Sequence, residues 1–120
     1  MKLATLRRAV ASVALLAAHL AWAHAYPKHQ EPPAGSTVQA KLNAVVIDFD
    51  DALEPAFSSI TVTDAQGKAV TNGKSEVEPS NSKRISVGVS SLTPGVYTVA
   101  WVAVAADGHR TQGHYRFTVK

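Results

Sequence analysis

From residue 43 onward, apolar and polar positions alternate along the chain with a period of two. In "NAVVIDFD" (Asn43 to Asp50), Val45, Ile47 and Phe49 fall on one face and Val46 and Asp48 on the other. Ile60 and Val62 alternate before the turn residues Asp64-Ala65-Gln66-Gly67, and the pattern resumes over Lys68 to Val70. Ile85, Val87 and Val89 repeat it, as do Tyr97, Val99, Trp101 and Ala103, and then Tyr115, Phe117 and Val119. Successive side chains of a strand point to opposite faces, so this period predicts strands with one buried face. Val96 to Val104 is apolar on both faces and is expected in the middle of a sheet. The Pro32-Pro33 pair confines the first segment to an edge, because proline has no N–H to give to a ladder. No helical period is sustained after residue 23, and "DALEPAFS" has room for one turn before Pro55 interrupts it. Turn-rich stretches, "EPPAGS", "TNGKSEVEPSNSK" and "LTPG", separate the strands. The expected class is all-β, an antiparallel sandwich or barrel.

The N-terminal part follows a different pattern. Lys2, Arg7 and Arg8 precede an apolar run from Ala9 to Ala18, and Ala21-Trp22-Ala23 supplies a small-x-small triplet. That order is a secretory signal peptide, and the run is shorter than the about 20 residues a membrane span needs. Residues 1–23 are therefore expected to be cleaved and residues 24–120 to form one domain with a single core. A second small-x-small triplet, Ala23-His24-Ala25, offers a competing cut two residues later.

Removing the signal changes the charge. The full chain has 12 Lys+Arg against 9 Asp+Glu, and residues 24–120 carry nine of each. The sequence pI of about 9.4 thus belongs mostly to the targeting segment and is no footprint for nucleic acid. The chain has no cysteine, and its one methionine is Met1. The exported domain must hold together by packing alone. It lacks thiolate sites, cysteine nucleophiles and the soft donors that Cu(I) prefers.

Little points to hydrolytic chemistry: there is no Gly-x-Ser-x-Gly elbow and no phosphate-cradling glycine loop. Asp48, Asp50, Asp51 and Glu54 read as a solvated strand end rather than a glycosidase pair. Histidine is more informative. His24, His29, His109 and His114 remain after cleavage. Asp107 and His109 stand two residues apart around Gly108, a spacing that in extended chain puts both side chains on one side. By itself Asp-Gly is an ordinary turn dipeptide, and the pair reads first as an exposed turn. A new N-terminus at His24 changes that weighing. Its α-amine, with a pKa of about 7.7–8, and its Nδ1 can close a six-membered chelate ring once a metal displaces the amine proton. With His109 and Asp107 the donor set is three nitrogens and one oxygen, which suits Cu(II). His29 and His114 read as exposed strand histidines rather than a second site. Tyr97, Trp101, Tyr115 and Phe117 read as core rather than a stacking platform.

These residues together resemble the CopC family of periplasmic copper-binding proteins. The resemblance rests on the terminal His24, the turn Pro32-Pro33-Ala34-Gly35-Ser36, the strand end Phe49-Asp50-Asp51, and one long block. That block comprises Leu92, Gly95, Tyr97, Val99, Trp101, Asp107-Gly108-His109, Gly113, Phe117 and Val119. The resemblance implies a small Greek-key sandwich or barrel of about seven strands, immunoglobulin- or cupredoxin-like. It also implies one Cu(II) per chain held by His24, His109 and Asp107. Asp51, where the family carries Glu, is a candidate for an axial or outer position. Some members carry a Met-rich loop for Cu(I), so a chain without methionine after Met1 is expected to bind Cu(II) only. The implied setting is the periplasm, as a monomer that sequesters copper or passes it to a CopD-like inner-membrane transporter, with no enzymatic activity. Two readings of other classes compete. A histidine-brace copper oxygenase also uses an N-terminal histidine and a second histidine, and an immunoglobulin-like adhesion module would bind no metal.

Overall fold

The computed structural model describes residues 24–120. The expected signal peptide and its cleavage site fall on residues 1–23 and lie outside the described residues. Eight strands form: β1 (Pro27–Glu31), β2 (Thr37–Val38), β3 (Ala44–Phe49), β4 (Ser59–Thr63), β5 (Thr71–Glu78), β6 (Asn81–Val89), β7 (Gly95–Val104) and β8 (Arg110–Val119). They make two four-stranded sheets, ordered β1-β3-β6-β5 and β2-β8-β7-β4. All pairings are antiparallel except β2 with β8, which run parallel at the edge.

The period-two residues supply the facing surfaces of the sandwich. Val45, Ile47 and Phe49 of β3 and Ile85, Val87 and Val89 of β6 are buried from one sheet. Ile60 and Val62 of β4, Tyr97, Val99 and Trp101 of β7, and Tyr115, Phe117 and Val119 of β8 are buried from the other. Each such side chain contributes about 1.5–3 kcal/mol of burial, and with no cysteine this packing is what holds the sheets together. Tyr97 and Phe117 stack with ring centroids 5.5 Å apart, and Phe49 meets Trp101 edge-on at 5.3 Å. The Tyr97 hydroxyl donates to the Thr93 carbonyl at 2.6 Å and accepts from the Thr93 N–H at 3.0 Å. This gives the buried ring a satisfied polar tip.

β1 lies at an edge, and β7 lies between β8 and β4, as the proline pair and the long apolar strand imply. The second apolar face of β7 is not buried, however. Val96 is 44% exposed and Ala100 is exposed, because the sandwich covers each sheet on one side only. A second difference concerns "TNGKSEVE", expected as part of a long turn, which is β5. Its register shifts between Asn72 and Glu76, where Gly73 has φ of +84°, and most of its residues are exposed. A bulged, polar edge strand shows no sustained alternation.

The end of the molecule where β7 turns toward β8 is closed by the loop after β3. Leu53 pairs with Ala105 in an isolated bridge, its N–H bonds the Ser82 carbonyl at 2.9 Å, and the Glu54 N–H bonds the Val104 carbonyl at 2.8 Å. The loop thereby ties β6 of one sheet to the end of β7 in the other.

Candidate metal centre

The β7–β8 hairpin turns within a few residues beyond Val104, and its geometry comes from Asp107 and Gly108. The Ala105 N–H bonds the His109 carbonyl at 2.9 Å, the Gly108 N–H bonds the Ala105 carbonyl at 2.9 Å, and Gly108 adopts φ of +90°. That backbone conformation suits glycine, which has no Cβ to clash. The Asp107 carboxylate accepts the His109 N–H at 3.1 Å and contacts His109 Nδ1 at 2.7 Å. The two side chains meet because the turn folds them together, not because an extended strand alternates them.

This contact assigns roles to the imidazole nitrogens. An ionised carboxylate only accepts, so Nδ1 of His109 carries a proton, and in the neutral imidazole Nε2 is then the nitrogen with the lone pair. The His109 ring, and after it the His109 backbone N–H, hold the Asp107 carboxyl below the usual carboxylate range. A carboxylate that orients an imidazole in this way leaves the far nitrogen free for a metal.

His24 approaches from the other direction. Its half-buried ring lies 4.9 Å from the His109 ring at an interplanar angle of 65°, and 6.1 Å from the Tyr26 ring. Its Nδ1 is buried and has no hydrogen-bond partner among the described residues. An unpaired buried polar atom costs about 1–3 kcal/mol unless something fills its lone pair. A metal ion would do so.

The segment following His24 is fastened to both sides of the fold. The Ala25 side chain is fully buried, and its carbonyl accepts from the Thr111 hydroxyl at 2.5 Å. Tyr26 pairs with Asp50 twice: its N–H bonds Asp50 Oδ1 at 2.8 Å, and its carbonyl accepts the Asp50 N–H at 3.0 Å. Thr111 and Asp50 were not singled out for this role from sequence. Nothing local marks a strand threonine, and Asp50 stood out only as one acid among several at the strand end.

The structure thus brings His24 against His109, and His109 against Asp107. It does not close them into a cage, since no group of three or more His, Asp or Glu side chains among the described residues is gathered to hold an ion. Asp51 spends its Oδ1 on the Ala52 N–H at 2.8 Å and makes no hydrogen bond or ion pair with His24, Asp107 or His109. His29 is exposed on β1, 3.3 Å from Glu31. His114 is exposed on β8 opposite Ala100, beside an open concavity of about 470 Å³ that Ser59, Thr61 and Gln112 also line. That concavity offers one imidazole and no carboxylate. Tyr97, Trp101, Tyr115 and Phe117 are core, each 8% exposed or less.

Comparison with known proteins bears on the domain as a whole. A family model described as the CopC domain matches residues 27–120, beginning three residues after His24. Protein YobA of Escherichia coli K12 is 37% identical over 100 residues, which span 82% of this chain and 81% of that protein. The copper transport protein CutJ of Bacillus subtilis is 31% identical over 99 residues, but this chain spans only 18% of its length. Among solved structures, CopC from Methylosinus trichosporium OB3b superposes with a TM-score of 0.75 at 30% identity, covering 81% of this chain and 94% of that one. PcoC, described as a methionine-rich copper resistance protein from Escherichia coli, superposes with a TM-score of 0.70 at 30% identity, covering 82% of this chain and all of that one.

Proposed function

The chain belongs to the CopC family, and from that premise we propose that it binds one Cu(II) ion in the periplasm as a monomer and sequesters it or passes it to a CopD-like inner-membrane transporter. A copper-related function follows from the family and from its copper resistance and copper transport relatives. The finer reading rests on one observation: the buried Nδ1 of His24, without a hydrogen-bond partner among the described residues, stands beside a histidine that a carboxylate already orients.

In this reading export creates half of the site. Cleavage after Ala23 frees the His24 amine, which chelates the cargo ion together with Nδ1. His109 adds an imidazole nitrogen and Asp107 a carboxylate oxygen. In the metal-free arrangement the last two hold each other, and rotation of the Asp107 side chain releases an oxygen toward the ion. Until then the contact keeps His109 in the tautomer that can bind. Three nitrogens and one hard oxygen favour Cu(II) over Cu(I), and the lack of methionine after Met1 contrasts with methionine-rich PcoC. With Asp107 in the fourth position no open position remains for oxygen, which favours a binding protein over a copper oxygenase.

The test is Cu(II) titration of exported protein whose N-terminus has been read by intact mass, followed by quenching of Trp101 fluorescence. His24→Ala, His109→Ala and an added N-terminal residue should each weaken binding by more than roughly 100-fold, and His114→Ala should leave it nearly unchanged. Equal losses for His24→Ala and His114→Ala would place the metal elsewhere.

A further inference from the structure

We infer that Thr111, with Asp50 acting from the opposite side, is a positioning residue that holds the His24 chelate ready for the ion; this rests on the reading of His24 as a copper ligand. Chain termini fray unless something ties them down. Here the two residues after His24 have three backbone tethers: the Ala25 carbonyl to the Thr111 hydroxyl, and the Tyr26 N–H and carbonyl to Asp50. Ala25 adds a fully buried side chain. His24 is left with little freedom beyond its own rotamers.

Thr111 has a special place among these tethers. It lies two residues beyond His109 on β8, on the inward face shared with Gly113, Tyr115 and Phe117. Its hydroxyl is 3.5 Å from its cross-strand neighbour's carbonyl, that of Ala103, and turns instead to the shorter bond with Ala25, 86 residues away in sequence. The short run from His109 to Thr111, where the turn leads into β8, therefore carries His109 and also fastens the neighbour of His24. The distance between the two imidazoles is set by that run rather than by the ion.

A site that must first collect a loose terminus binds with an apparent affinity reduced by the fraction of chains in which the terminus is in place. Thr111→Val keeps the branched shape and removes the donor, whereas Thr111→Ser keeps the donor. Thr111→Val should weaken Cu(II) binding roughly tenfold, with Thr111→Ser close to the parent. The Cu(II) electron paramagnetic resonance spectrum of fully loaded Thr111→Val should match the parent, since the donors are the same. In metal-free protein the Tyr26 amide should exchange faster in Thr111→Val than in Thr111→Ser. Asp50→Ala and Asp50→Asn form a second pair on the other tether, in which the amide oxygen of Asn preserves the acceptor. Parent-like affinity for Thr111→Val, or equal losses for the valine and serine variants, would overturn the inference. The exchange measurement needs no metal. Copper binding that ignored His24 would sink the functional reading, while the exchange result would still decide whether Thr111 clamps the terminus.

Discussion

Among the glycines, Gly113 is the one where an added Cβ would meet its neighbours most closely, and Gly113→Ala is a stringent test of the packing. The glycine faces Trp101 across the β7–β8 ladder, and a Cβ placed there would lie 2.6 Å from Cζ2, 2.9 Å from Cε2 and 3.1 Å from Nε1 of the indole. Carbon atoms pack at about 3.5–4.0 Å, so the ring must retreat by about 1 Å. It has little room to do so: Trp101 is only 8% exposed, and Phe49 packs edge-on against it at 5.3 Å. Overpacking of this kind costs about 1–3 kcal/mol. Reduced entropy of the unfolded chain offsets about 0.4–1 kcal/mol of that, because Gly113 is not at positive φ and alanine adds no backbone strain. The net loss should be about 1–2 kcal/mol, lowering Tm by about 5–10 °C for a domain of this size. Trp101 is the only tryptophan after Trp22. Urea unfolding of protein beginning at His24, followed by its fluorescence and by circular dichroism, therefore reads the transition directly. In a Trp101→Phe background the smaller ring should accept the methyl group, giving a double-mutant cycle with a coupling of about 1 kcal/mol or more. Gly113→Ala with parent stability, or strict additivity in the cycle, would refute the argument.

Two further predictions concern polar groups. The Tyr115 hydroxyl is buried without a hydrogen-bond partner among the described residues, and burial, then the charge of Glu31, pushes its pKa up to about 12. Tyr115→Phe should therefore stabilise the fold by about 1 kcal/mol and remove the loss of stability the parent shows as pH rises through the unfolded tyrosine value of about 10; destabilisation in chemical unfolding would show that the hydroxyl is satisfied. Asp48 on β3 faces Arg84 on β6, with Arg84 Nε and Nη2 at 2.7 and 3.1 Å from its two oxygens, and the hydrogen bond from Arg84 holds its carboxyl below the usual range. The folded value is the lower one, so the stabilisation is complete above about pH 4 and lost as pH falls through the folded value; Asp48→Asn should cost about 1 kcal/mol at neutral pH and progressively less as the solution is acidified through the folded value, and a cost that did not fall with pH would count against it.

The parts of the fold legible in the sequence are those with a local cause. Ile85, Val87 and Val89 alternate because one face of β6 is core, and the same holds for β3, β7 and β8. β5 escaped because its bulge at Gly73 breaks the period and its edge position leaves most of its side chains in water. β2 has only two residues, and their pairing is parallel to a strand some 80 residues later, Thr37 with Thr118 and Val38 with Val119. A dipeptide carries no periodicity, so tertiary context alone makes it a strand. The outer face of β7 is the reverse case. Val96, Val102 and Val104 suggested burial on both sides, but β-branched residues suit any strand and do not by themselves report a second layer.

The candidate site divides along the same line. Asp107-Gly108-His109 could be found because the turn brings the carboxylate and the imidazole together within three residues. What could not be found is how His24 reaches them. That depends on the Thr111 hydroxyl meeting the Ala25 carbonyl and on Asp50 meeting Tyr26, 86 and 24 residues apart in sequence. The same contacts bear on the two possible cuts. A chain beginning at Tyr26 would lose the histidine chelate, and it would also lose a fully buried alanine and leave the Thr111 hydroxyl without its acceptor. Ala25 is thus packed and hydrogen-bonded in ways that do not depend on copper. A cut before His24 is the one that keeps both the packing and, on the proposed reading, the ligand.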